Sequence, residues 1–271
     1  MDISWTLVLE LLALGAVTGF LAGLLGVGGG MMLVPFLTWI LSNRGVEPGM
    51  AVKMAIATAM ATIFFTSLSS VRAHHQRGAV RWDLARGMAP GILVGGLLAG
   101  AGAFAVLKGQ GLALLFAAFN IFSALQMLRD RKPKPSRAMP GTTGQLAAGG
   151  VIGFLSGLLG AGGAFISVPF MVWCNVTLRE AVGTSAALGF PIALANTVGY
   201  VIAGWNVAPA LPGANGYIYV PALMIVAAAS VMLAPLGARV AHRSDVVKLK
   251  RAFAFLLCSL AGYMLYKSVS V

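Results

Sequence analysis

The chain has 271 residues, 59% hydrophobic and only 10% charged, whereas a soluble domain carries about 25% charged residues. Nineteen basic residues against seven acidic ones, formally +12, would suggest nucleic acid in a soluble protein. Here they lie in short loops between apolar segments, where the positive-inside rule expects them, so no nucleic-acid partner is expected. Two cysteines without CxxC spacing and three histidines argue against a disulfide framework or a structural zinc site, and no cofactor or metal is expected.

No Asp, Glu, Lys or Arg occurs in 11–43, 54–71, 87–107, 109–128, 138–178, 181–238 or 252–266. About 20 apolar residues span the hydrocarbon core as a helix, so the chain reads as an all-α, polytopic membrane protein. The first apolar stretch follows Met1-Asp2 rather than a basic flank and runs past the 7–15 residues of a signal peptide, so it reads as a helix over 5–25. It ends at Gly26, Gly28, Gly29 and Gly30. A short segment over 31–42 follows, about 17 Å long and half a bilayer core. The pair is expected to form a hairpin that enters and leaves on one side. Ordinary crossings are expected at 53–72, 87–107 and 110–129.

The stretch 129–137, with five basic residues, one acid and two prolines, reads as an exposed cytoplasmic linker. After it the chain repeats itself. Gly19-Phe20-Leu21-Ala22-Gly23-Leu24-Leu25-Gly26 recurs as Gly153-Phe154-Leu155-Ser156-Gly157-Leu158-Leu159-Gly160. The ungapped match continues to Val34-Pro35-Phe36 and Val168-Pro169-Phe170, with 12 identities in 19 positions. Ala57-Thr58-Ala59 aligns with Gly183-Thr184-Ser185, and Gly78 with Gly204. The second copy is therefore expected as a helix at 145–159, a short segment at 165–174 and crossings at 181–204, 217–239 and 250–268. The expected division is a first repeat (1–128), a linker (129–141) and a second repeat (142–271).

Basic residues place the loops 73–86, 130–137 and 240–250 inside. The charge-free loop 205–216 and both termini then fall outside. The two units start on opposite faces, which makes them inverted-topology repeats, a pattern of secondary transporters.

Broken helices at membrane depth are tolerated where protein buries them or they line a polar cavity. A helix start there offers N–H groups and a positive dipole end to an anion. The candidate substrate site is thus the paired turns Gly28, Gly29, Gly162 and Gly163, with Thr58, Ser185, Asn196 and Gln126 as intramembrane polar groups. Glu10 and His74 are the candidates for proton coupling. No catalytic constellation is present: a buried carboxylate pair or a Ser/His pair is missing, so the chain does not read as an enzyme.

The doubled Gly-Phe-Leu-x-Gly-Leu-Leu-Gly-x-Gly-Gly turn followed by Val-Pro-Phe resembles the sulfite exporter TauE/SafE family of membrane transporters, over about residues 10–266. The resemblance implies a multi-pass carrier of the bacterial inner membrane that moves sulfite, sulfonates or other small organic anions. It implies a small anionic substrate and the lipid bilayer as partners, and it allows a homo-oligomer. A non-transporting scaffold or assembly protein and an anion channel are the alternatives.

Overall fold

A computed structural model of the chain describes residues 4–25, 29–129, 137–241 and 246–269. It is almost entirely helical. The first unit contains α1 (Trp5–Leu25), α2 (Gly30–Asn43), α3 (Pro48–Gln76), α4 (Trp82–Leu97), α5 (Phe104–Val106) and α6 (Gly109–Arg129). A π-helical stretch, Leu98–Ala103, joins α4 to α5, so 82–106 is one crossing with a widened turn. The second unit contains α7 (Thr142–Leu159), α8 (Ala164–Trp173), α9 (Leu178–Gly204), α10 (Val220–Ala241) and α11 (Val246–Val269). A two-stranded hairpin, β1 (Ala214–Asn215) with β2 (Ile218–Tyr219), precedes α10. Sequence periodicity gives no sign of this hairpin, whose strands are too short to alternate. Among the described residues, eight helical segments are long and apolar enough to cross a membrane, and α2 and α8 are shorter.

The side chains that face outward are those a hydrocarbon solvent would select. Trp5, Val106, Phe122, Met232 and Phe255 are all well exposed. The interior is held by small residues and close backbones, as expected where lipid removes the hydrophobic drive between helices. On α1, a Cβ added to Gly15, Gly19 or Gly23 would lie within 3 Å of α10 at Val226, Ser230 and Ala234 respectively. The glycines recur every four residues and therefore form one stripe. As α1 advances so does α10, and the two helices run parallel. The same arrangement joins α4 to α7, where Gly91 and Gly95 press on Leu146 and Gly150, and Gly153 presses on Ile92. The first helix of each unit thus packs on the fourth of the other. In contrast, α3 and α9 run antiparallel: Phe64 stacks near Phe190, Ser67 lies against Gly189, and just past the end of α3, Ala79 meets Gly183.

Each glycine turn makes a helical hairpin whose open end is tied. Arg44, at the end of α2, donates to Ser4 Oγ (3.1 Å) and to Glu10 (3.0 Å) near the start of α1. In the second unit, the Arg137 guanidinium lies 4.8 Å over the ring of Trp173, at the end of α8. Both short helices therefore return to the side on which their long partners begin.

Candidate functional site

The start of α2 meets the second turn. A Cβ on Gly30, the first residue of α2, would lie 2.5 Å from the Gly160 carbonyl oxygen and 3.3 Å from the Ala161 Cα. Ile63 of α3 lies beside both, 2.9 Å from such a Cβ on Gly30 and 3.5 Å from one on Gly162. Gly28 falls outside the described residues. Gly29 caps α2 with φ −73°, a conformation open to any residue, and its Cα faces Thr18 on α1. Left-handed backbone occurs instead in the second turn, at Gly160 (φ 60°) and Gly163 (φ 75°). Only glycine takes such values without strain.

The second turn is also the polar one. Ser156 is fully buried and its hydroxyl has no hydrogen-bond partner. It lies 3.0 Å from the position of a Cβ on Gly163. The Ile166 and Ser167 N–H groups donate to the Gly163 carbonyl, which leaves Ala164 and Phe165 as the N–H groups of a helix start without an intrahelical acceptor. Ser167 donates to Ser185 Oγ at 2.8 Å, and both are buried. The repeat positions equivalent to Ser156, Ser167 and Ser185 hold Ala22, Leu33 and Ala59. Sequence reasoning missed Ser156 and Ser167, although their departure from the repeat was a usable signal.

The other candidates occupy separate places. Thr58 accepts from the Tyr219 N–H at 3.0 Å, and Thr184 accepts from the Arg81 N–H at 3.0 Å. Each threonine thus holds the residue just before the other unit's fourth helix. The residue equivalent to Thr58 is Thr184; Ser185 stands one position later. Asn196 donates to the Ile192 carbonyl (2.8 Å) and to the Gly153 carbonyl (3.3 Å), while its Oδ1 is unpartnered against Gly157. Tyr200, one turn on, donates to the Gly157 carbonyl. These two side chains stitch α9 to α7, which gives Asn196 a packing role at the α4–α7–α9 crossing. Gln126 is half-buried on α6. Three and six residues before it on the same helix, Ser123 and Asn120 are fully buried, with no hydrogen-bond partner. Glu10 is ion-paired to Arg44 at the open end of its hairpin, 15 residues and about 22 Å of helix rise from the turn. His74 lies in the last turn of α3, 11 residues and about 16 Å beyond Ile63. The candidate site thus draws in Gly29, Gly162, Gly163 and Ser185, while Thr58, Asn196, Gln126, Glu10 and His74 stand apart from it. Among the described residues no three His, Cys, Asp or Glu side chains cluster.

Two touching helix breaks built from a repeated glycine motif, inside a bundle of apolar helices, invite comparison with known membrane proteins. A family model for "Sulfite exporter TauE/SafE" matches residues 11–264. The chain belongs to the TauE/SafE family. It is 32% identical over 265 residues to a "Probable membrane transporter protein" of Haemophilus influenzae, covering 97% of this chain and all of that one. It is 27% identical over 274 residues to a protein of the same description from Methanocaldococcus jannaschii, covering 97% and 96%. A Bacillus subtilis relative, also described as a probable membrane transporter, is 26% identical over 259 residues, covering 91% and 95%. No solved structure matches. Family and relatives together make this TauE/SafE chain a multi-pass membrane transporter.

Proposed function

We propose that the protein is a secondary carrier in a bacterial-type inner membrane that exports sulfite, sulfonates or related small organic anions by alternating access at the paired glycine turns. The observation that carries this reading is the second turn. There a left-handed glycine, the start of α8 and a buried hydroxyl without a partner converge at one point. N–H groups at a helix start and a free hydroxyl favour negative charge. The start of α2 touches the second turn in this structure, so an anion is admitted when the two part, and glycine at the contact lets backbone replace backbone there.

Inverted topology supports the same reading. The equivalent helices α3 and α9 run antiparallel, and the first helix of each unit packs on the fourth of the other. The repeats are then related by an axis in the membrane plane, and the turns approach each other from opposite faces. Motion of one unit against the other exposes the shared centre to each side in turn.

The test is exchange in liposomes holding the purified protein. Labelled sulfite outside should enter against unlabelled sulfite inside, saturably, in competition with ethanesulfonate and without ATP. Exchange no faster than in protein-free liposomes overturns the proposal and favours a scaffold. Flux without counterflow makes the protein a channel.

A further inference from the structure

Lys53 is a cation whose partners are all neutral. On the second turn of α3, its ammonium lies 5.5 Å from the Phe104 ring centroid and 5.4 Å from that of Tyr217, within the range of cation–π attraction. It donates to the Ala105 carbonyl at 3.2 Å. Among the described residues the ion pairs are Arg44 with Glu10 and Arg81 with Asp83, and neither involves Lys53. Phe104 in turn packs against both Tyr217 and Tyr200.

The repeat gives this cation a counterpart. Lys53 stands five residues before Thr58, and Arg179 stands five residues before Thr184, the threonine that makes the equivalent bond. Arg179 is exposed, also lacks an ion pair among the described residues, and donates to a backbone carbonyl, that of Arg77. Because α3 and α9 are antiparallel, the two cations sit at opposite ends of the helix pair. Lys53 is three residues, about 4.5 Å of rise, from Ile56, whose Cα would contact a Cβ on Gly160 at 3.2 Å. Arg179 is six residues, about 9 Å of rise, from Ser185.

We infer that Lys53 and Arg179 are the cations that meet the anionic substrate at the two ends of its route, one on each face of the membrane. This rests on the anion-carrier reading. A cation satisfied by rings and a carbonyl keeps its charge uncancelled, and a low-dielectric wall focuses its field on the approach to the turns. Rings and carbonyl hold the ammonium in place between passages, and the anion is its one full counter-charge.

The test uses right-side-out and inside-out membrane vesicles containing the full chain, with initial uptake of labelled sulfite as readout. Lys53→Gln should raise half-saturation roughly ten-fold in one vesicle orientation and leave the maximal rate nearly unchanged, and Arg179→Gln should do so in the opposite one. Lys53→Arg should preserve uptake. Equal effects of Lys53→Gln in both orientations, or none in either, overturn the inference while wild-type transport stands. Wild-type uptake no faster than in vesicles lacking the protein overturns the carrier reading itself.

Discussion

Gly163→Ala isolates the turn on which the site depends. Two costs arise from one methyl group. The residue sits at φ 75°, and left-handed backbone costs an L-residue about 1–2 kcal/mol. The added Cβ would lie 2.5 Å from Cδ1 of Ile192, which is fully buried, and forcing an extra methyl into a packed core costs about 1–3 kcal/mol. The expected loss is therefore about 2–5 kcal/mol, read from denaturant titration in mixed micelles by tryptophan fluorescence. Ile192→Val removes the clashing Cδ1 and alone costs about 0.5–1.5 kcal/mol. Combined with Gly163→Ala, it should recover the packing part and leave the backbone part. Gly162→Ala is the control, because its Cβ would meet only Ile63, at an ordinary 3.5 Å, and should shift stability by no more than about 0.5 kcal/mol. Equal stability of the Gly163 and Gly162 variants, or failure of Ile192→Val to rescue, would refute the reasoning.

Thr58→Val and Thr184→Val should each cost about 1–3 kcal/mol by stranding the N–H of Tyr219 or Arg81, and amide exchange should accelerate at that residue. Thr→Ser should be milder. Glu10→Gln breaks a half-exposed ion pair and should cost no more than about 1 kcal/mol; a transport pH profile that moves with it would return Glu10 to the proton path. Gly19→Ala brings a Cβ to 2.4 Å from the Ser230 Cα and should lower the melting temperature sharply, whereas Gly102→Ala, with open space around it, should not. Burial raises the Tyr217 and Tyr219 phenols above their ordinary pKa. The stability linked to them is therefore full below about pH 10 and lost as pH rises through the raised values. Absorbance at alkaline pH should show a late phase that Tyr217→Phe reduces.

Much of the fold was legible because a membrane imposes long uncharged runs, and Arg and Lys fall between them. The glycine turns, the short helices after them and the later crossings all lie within a few residues of their expected places. The doubled motif also announced that the helices would break at two corresponding places. What stayed hidden depends on contacts distant in sequence. Thr58 looked like a site hydroxyl, yet its oxygen is committed to Tyr219, 161 residues away. Asn196 looked like a buried carboxamide seeking a ligand, and it found the carbonyls of α7 and its own helix. The π-helical stretch at Leu98–Ala103 has no composition cue beyond small residues, and it lies where Gly100 packs against Gly199 of α9. The polarity of the second turn was readable only by asking where the copies differ, at Ser156, Ser167 and Ser185.

Locking the second turn to α3, beside its contact with α2, tests the carrier account most directly. In a background lacking Cys174 and Cys258, cysteines at Ile63 and Gly162 occupy positions where a Cβ on Gly162 lies 3.5 Å from the Ile63 side chain, near the reach of a disulfide. Sulfite exchange in liposomes should stop on oxidation and return on reduction. Full exchange by the oxidised, cross-linked protein would contradict a route that opens between the paired turns.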